Sequence, residues 1–343
     1  MEPLQPLHPI KTVMGTLPAL IYTMMSRGQR STDDVTLCMC EEKKAEVSDT
    51  IRIWQDVLNN PGLPMTVESL DGSDSPNGDP LRRANEPEAT FVYGSYVYKW
   101  FEDRNRAFMR HARAVTHLCD HVPPNVRCVG QWLSYAYVPG FTLAEVVDYM
   151  DGPNTLKWAL DWLGENLWVH EESDDKWAIP FYRDKTLRRL RAIASRTRVE
   201  QEVIDVIETL PWAAIADECL VTPTWHGDCS FENLVLSTKE RLTLLDWREN
   251  LRGDHYWDLA KLLKSTHFDH RKIDVTGELW GHDREDELEK VIVDWCETHG
   301  RDVKKLWLVY ALHWFAMSGR YDGPLGDNLY NRGKTELVKY LQM

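Results

Sequence analysis

A chain of 343 residues, 43% hydrophobic and 27% charged, has enough apolar content for one large or two modest cores and does not read as disordered. Its formal net charge of −14 argues against a nucleic-acid partner, because phosphate backbones are bound through clustered Lys and Arg. Seven cysteines without CxxC pairs fit reduced thiols, and Cys38-x-Cys40 lacks the second pair a zinc site would need. No basic flank followed by an apolar stretch opens the chain, and no apolar run approaches the ~18 residues of a membrane span, so a soluble cytoplasmic protein without a membrane partner is expected.

Residues 1–60 read as an α/β extension. Val13, Leu17, Leu20, Ile21 and Met24 recur at helical spacing, interrupted by Gly15 and Pro18. Val35 to Cys40 is a strand candidate, and Glu41 to Leu58 an amphipathic helix with Val47, Ile51, Trp54 and Leu58 on one face. One strand and two helices fall short of a nucleotide-binding fold, so this extension is expected to pack on its neighbour or on a second copy in a homo-oligomer. Met65 to Leu70 is a further strand candidate. The loop Asp71 to Asp79 offers Gly72, Ser73 and Gly78 to a phosphate, but it lacks GxGxxG spacing and holds three acids that would repel a triphosphate. It reads as an ordinary loop, and the nucleotide must be gripped mainly elsewhere.

Ala89 to Tyr93 and Tyr96 to Phe101 flank Gly94-Ser95 as a hairpin, with Lys99 late in its second strand. The helix from Arg104 to Cys119 carries Arg106, Arg110, His111 and Arg113 and no acid between Asp103 and Asp120. Val126 to Gly130 and Trp132 to Val138 are two more strands, the second followed by Pro139-Gly140. Beyond them helices dominate: Leu156, Leu160, Leu163 and Leu167 repeat at helical spacing, and Trp158, Trp162 and Trp168 thicken that core. Arg183 to Arg198 is a basic helix facing inward through Leu187, Leu190 and Ile193; its arginines read as a solvated face, although an anionic substrate would find them useful. Leu288 to Trp295 and Val303 to Met317 are amphipathic, and His313 reads as a core histidine.

The stretch from Val221 to Ala260 carries the chemistry. His226-Gly227-Asp228 is followed five residues later by Asn233, then by two short apolar strands, Leu234 to Leu236 and Leu242 to Leu245, and then by Asp246. A hairpin of this form places Asn233 at the foot of one strand and Asp246 at the end of its neighbour, so three oxygen-bearing side chains converge. Magnesium takes such oxygen ligands together with substrate phosphates, and phosphoryl transfer to a hydroxyl also requires a carboxylate that orients the attacking oxygen.

The pattern HGDxxxxN, strand, Asp resembles the aminoglycoside phosphotransferase and choline kinase-like branch of the protein kinase-like fold. The resemblance implies an α+β bilobal protein: the extension at 1–60, a small β-rich lobe at 61–138, and a mainly helical lobe at 139–343. It implies Asp228 as catalytic base, Asn233 and Asp246 as magnesium ligands, and Lys99 as the residue that reaches the ATP phosphates. The backbone of Tyr135, Ala136 and Tyr137 would read the adenine, Asp258 would brace the catalytic loop, and His226 would be structural. The family pairs the strand lysine with a helix Glu that this chain lacks, so Glu68 or Asp103 is the expected partner of Lys99, unless it waits unpaired for ATP. Protein kinases carry a lysine two residues after the loop Asp, where Ser230 stands, which favours a small-molecule acceptor: a sugar, polyol, amino alcohol or aminoglycoside. Asp246-Trp247-Arg248 followed by YWDLAKL is similar to phosphotransferases linked to surface polysaccharides. A choline-like acceptor would want an aromatic cage, and an aminoglycoside an acidic cleft drawn from Asp161, Glu165, Glu171, Glu172, Asp174 and Asp175. The alternative is a catalytically silent pseudokinase that binds nucleotide or scaffolds, or a sensor that binds a polyol without turnover.

Overall fold

The computed structural model describes residues 65–66 and 88–343, except 94, 102, 150, 170–171, 174–177, 195–198, 218–219, 238–240, 251, 270–271, 273–277 and 322. The expected extension at 1–60 and the Gly72, Ser73, Gly78 loop lie outside the described residues.

Five strands form the first sheet: β1 (Met65–Thr66), β2 (Glu88–Tyr93), β3 (Tyr96–Phe101), β4 (Arg127–Val129) and β5 (Trp132–Ala136), in the antiparallel order β1-β2-β3-β5-β4. The β2–β3 hairpin has the expected register, with Thr90 opposite Lys99 and Tyr93 opposite Tyr96. Alternation along β3 buries Val97, Lys99 and Phe101 on one face, so Lys99 points inward among apolar neighbours. Helix α1 (Arg104–Thr116) starts at Asp103, whose carboxylate accepts the Asn105 amide at 2.8 Å. It buries Ala107, Arg110, Arg113 and Ala114, and the two alanines leave room for the two long guanidinium side chains.

The chain then passes through β6 (Phe141–Thr142), the short α2 (Leu143–Val146), α3 (Gly152–Asn166) and β7 (Glu172–Ser173). A single wide turn, Pro180–Asp184, leads into α4 (Lys185–Ile193), followed by α5 (Gln201–Thr209), α6 (Trp212–Asp217) and β8 (Leu220–Thr222). The segment expected to carry the chemistry folds as β9 (Leu234–Leu236) and β10 (Leu242–Leu244), an antiparallel hairpin joined by β6 in a three-stranded sheet. β11 (Gly253–Asp254) pairs with β8, and β8 with β7. Four helices complete the chain: α7 (His255–His267), α8 (Glu285–Thr298), α9 (Val303–Ser318) and α10 (Gly323–Gln342).

α9 is the centre of the helical part. From Leu308 to Ser318 every side chain is buried, the pattern of a helix surrounded on all sides. α7 is buried along its whole length against it, anchored by the N-cap Asp254, which also accepts the Tyr182 hydroxyl at 2.9 Å and the Lys305 ammonium at 3.0 Å. Among the described residues no helix is long and apolar enough to cross a membrane.

α10 was not anticipated, because Gly323, Pro324, Gly326 and Gly333 weaken any helical reading of its sequence. Packing decides it: a Cβ on Gly333 would lie 2.9 Å from the Phe315 ring of α9, and one on Gly326 2.4 Å from the Tyr321 carbonyl oxygen in the connection, so glycine is what permits both approaches. Gly326→Ala should therefore destabilise the protein by about 1–3 kcal/mol through overpacking, despite a propensity gain of about 1 kcal/mol; urea unfolding at unchanged m-value measures it, and a more stable variant would remove the packing argument.

Candidate active site

The loop from His226 to Asn233 is held by a glycine turn and by side chains of α7. Gly227 has φ 88°, and a Cβ there would meet the Arg248 side chain at 2.8 Å, so the loop turns through a position suited to glycine. The amides of His226 and Gly227 donate to the two carboxylate oxygens of Asp258, at 2.6 and 2.7 Å, and the Trp168 indole donates to the same group at 3.4 Å. Asp258 thus braces the loop from the first turns of α7, while the N-cap is Asp254. Nδ1 of His226 accepts the Asp228 amide at 3.1 Å, and burial pushes its imidazole down to about 4, which keeps it neutral and structural. The Trp257 indole holds the Gly227 carbonyl and the Trp225 indole the Asn250 carbonyl, so these two tryptophans serve the loop and its flank.

The three expected oxygen groups come together. Asn233 closes a short 3₁₀ turn (Phe231–Asn233) and donates through Nδ2 to the Asp228 carbonyl at 2.9 Å. Leu245 donates its amide to the Asn233 carbonyl at 2.8 Å, which sets the next residue, Asp246, beside the loop. Asp246 has φ 55°, a left-handed conformation that a short polar side chain tolerates and that recurs at functional sites.

Lys99 differs from the sequence expectation. Of the two partners expected for it, Glu68 lies outside the described residues; among the described residues its ammonium pairs not with Asp103 but with Asp246, 2.8 Å from Oδ1. Arg110 of α1 reaches the same oxygen at 2.5 Å and also binds Glu249 at 3.2 Å, where Arg106 joins it. α1 therefore brings cations to the carboxylates of the catalytic segment instead of a glutamate to the strand lysine. Burial would raise the Asp246 carboxyl, but Lys99, Arg110 and Arg248 outweigh it and hold it below the usual range. Arg113, one turn further, donates to the carbonyls of Trp225 and Arg248 and ties the two ends of the segment together. The signal for these roles was the placement of Arg106, Arg110 and Arg113 on one helical face.

Asp228 is held by two cations: Arg248 bonds Oδ2 at 2.5 Å and Lys261 bonds Oδ1 at 2.6 Å. Burial would raise its carboxyl, but Arg248, Lys261 and Arg320 prevail and hold it well below the usual carboxylate range. Tyr135 is buried beside Trp247, while the amides of Ala136 and Tyr137 donate to the carbonyls of Pro124 and Ser95.

Asp228 forms one wall of a cleft of about 780 Å³. Of the acids expected for a cationic acceptor, the described ones do not line it: Asp161 is bound by Lys157 and by the Trp295 indole, Glu165 is exposed and Glu172 lies in β7; Glu171, Asp174 and Asp175 lie outside the described residues. Lys185, Arg188 and Arg189 of α4 line it instead, so that basic helix turns three side chains to the cleft and is not merely a solvated face.

This is the α+β bilobal, protein kinase-like fold. No family model matches the chain, and no curated protein matches its sequence. Among solved structures, the choline kinase LicA from Streptococcus pneumoniae is similar over 85% of this chain and 100% of its own, at 15% identity and a TM-score of 0.55. A structure of LicA in complex with AMP covers 85% of this chain and 98% of its own, at 17% identity and a TM-score of 0.54. At these identities the likeness is one of fold.

Asp258→Ala leaves the His226 and Gly227 amides buried without acceptors, a loss of roughly 1–3 kcal/mol for each. Burial pushes the Asp258 carboxyl up to about 7, above the ~3.9 of an unfolded aspartate, so stability tied to its proton is complete below about pH 4 and lost as pH rises to about 7. Denaturation at pH 5.5 and 8 should show wild-type stability falling over that interval by more than that of the alanine variant; equal pH dependence would free Asp258 from this role.

Proposed function

We propose that the protein is an ATP- and magnesium-dependent phosphotransferase acting on a hydroxyl of a small molecule. The observation that carries this is the meeting of Asp228, Asn233 and Asp246 on one braced hairpin, with Lys99 on Asp246. The fold, shared with choline kinase LicA, supports the class of reaction but not its substrate.

The donor set fits a hard divalent cation. Lys99 and Arg110 both engage Oδ1 of Asp246, and among the described residues no donor engages Oδ2. Nδ2 of Asn233 is committed to the Asp228 carbonyl, which fixes the amide and leaves its oxygen for coordination. Asn233 and Asp246 would hold magnesium, which when bound would neutralise charge on the transferred phosphoryl group. Lys99 would take the nucleotide phosphates, exchanging part of its bond to Asp246 for them, and the chain around Tyr135, Ala136 and Tyr137 would face the adenine.

Asp228 accepts a hydrogen bond from the acceptor hydroxyl and aligns its oxygen. A bond forms from that oxygen to the γ-phosphorus, the bond from the γ-phosphorus to the β–γ bridging oxygen breaks, ADP leaves, and the hydroxyl proton passes to Asp228. With Arg248 and Lys261 on its two oxygens, Asp228 is a weak base. Its contribution is orientation, with proton transfer late, as a loose phosphoryl-transfer transition state permits. Those same ion pairs favour a second reading, a silent nucleotide-binding protein, if they never open.

Asp228→Asn should lower kcat by roughly 10²–10⁴-fold with ATP affinity retained, and an unchanged kcat would remove Asp228 from the reaction. Because its carboxyl is depressed, it stays ionised at all pH values above the ordinary carboxylate range, so it should add no acidic limb to the wild-type kcat profile between about pH 5 and 8. Asp246→Asn should abolish the magnesium dependence of ATP binding in a melting assay; a shift still responsive to magnesium counts against Asp246 as ligand.

A further inference from the structure

Among the described residues, the cleft beside Asp228 has a charge opposite to that of the chain as a whole: seven basic side chains line it against two carboxylates, Asp228 and Glu249, in a protein of net charge −14. Both carboxylates are already engaged, Asp228 by Arg248 and Lys261 and Glu249 by Arg106 and Arg110. Lys185, Arg188 and Arg189 from α4 and Arg320 from the turn after α9 add further positive charge to the same walls. Among the described residues no carboxylate lies within ion-pair distance of Lys185. Gathering like charges around a partly enclosed space is unfavourable unless an anion joins them. Burial pushes the Lys185 ammonium well below its ordinary value, and Arg189, Arg248 and Arg320 push it further, the effect a bound anion would reverse.

The aromatic surface of the cleft points the same way. The ammonium of Lys185 sits 4.0 Å from the Phe181 ring centroid and 4.5 Å from that of Trp257. An ammonium-bearing acceptor would need such rings for itself, with acids beside them; here the chain's own cation occupies them. Lys99, Asn233 and Asp246, the residues proposed to meet the nucleotide and its metal, are not among the residues of this wall, so its cations are set apart from them.

We infer that the acceptor is an anion, a small hydroxyl compound bearing a carboxylate or phosphate group, held by Lys185, Arg188, Arg189 and Arg320 with its hydroxyl toward Asp228. The transfer step rests on the phosphotransferase reading; anion binding in the cleft does not. Arg offers paired donors that match both anionic groups.

The test uses the full chain and matched acceptors. With ATP and magnesium, turnover is compared for glycerol, glycerate and glycerol 3-phosphate, for glucose, gluconate and glucose 6-phosphate, and for choline and ethanolamine. A kcat/KM for an anionic member at least about tenfold above its neutral partner is expected, the size of one charge-assisted contact, and the better anion separates carboxylate from phosphate. Lys185→Met and, separately, Arg188→Ala should raise KM for that anion by about 10–100-fold with kcat little changed, and Lys185→Met should improve turnover of choline by vacating the rings. In parallel, calorimetric titration of gluconate and glucose 6-phosphate without nucleotide should show saturable binding that both variants weaken. Turnover of neutral or ammonium compounds as good as that of the anions overturns the inference and leaves the phosphotransferase standing. Anion binding with no turnover of any compound retains the anion site and removes the transfer reading. Anion binding displaced by ATP alone assigns the cations to the nucleotide and overturns the inference, as does the absence of anion binding and of anion turnover.

Discussion

One carboxylate oxygen of Asp246 holds three parts of the molecule together. It receives Lys99 from the sheet and Arg110 from α1, and it belongs to the hairpin that carries Asp228 and Asn233. Arg110 is 1% and Lys99 10% accessible at the side chain, so each needs this partner: breaking a buried pair by removing one member costs roughly 3–5 kcal/mol. The left-handed backbone at Asp246 is tolerated because the group at its end is fixed by two cations. Sheet, helix and catalytic loop are therefore set relative to one another by the group that would also meet the metal.

The distribution of charge follows from that junction. α1 contributes Arg106, Arg110 and Arg113 to the catalytic segment, two to carboxylates and one to backbone carbonyls. The carboxylates that the hairpin supplies are thereby neutralised in the protein itself. A cleft whose own acids are satisfied, and whose remaining walls carry Lys and Arg, presents a positive field inside an acidic protein.

Much of this was legible locally. HGDxxxxN, two apolar runs and a terminal Asp lie within one short stretch, so their spacing carries the geometry of a hairpin directly, and the β2–β3 hairpin was readable from Gly94-Ser95 between alternating runs. The partner of Lys99 was not readable, since Asp246 lies 147 residues further along the chain. α10 was hidden for a related reason. Its glycines look like helix breakers until the Phe315 ring of α9 is seen against Gly333. The basic helix α4 could be recognised as amphipathic, but nothing in its own residues says that Lys185 and Arg189 turn toward Asp228 while Arg191 stays exposed.

The sequence by itself determined the α+β kinase-like class, the catalytic hairpin and the bracing acid, because each rests on residue types at short, fixed separations where backbone geometry leaves few choices. Only the tertiary structure decided which cation meets which carboxylate and what charge the described residues give the cleft beside Asp228. Those depend on Coulomb interactions between side chains brought together from α1, α4, α7 and α9, and such interactions follow distance in space, with no trace in distance along the chain.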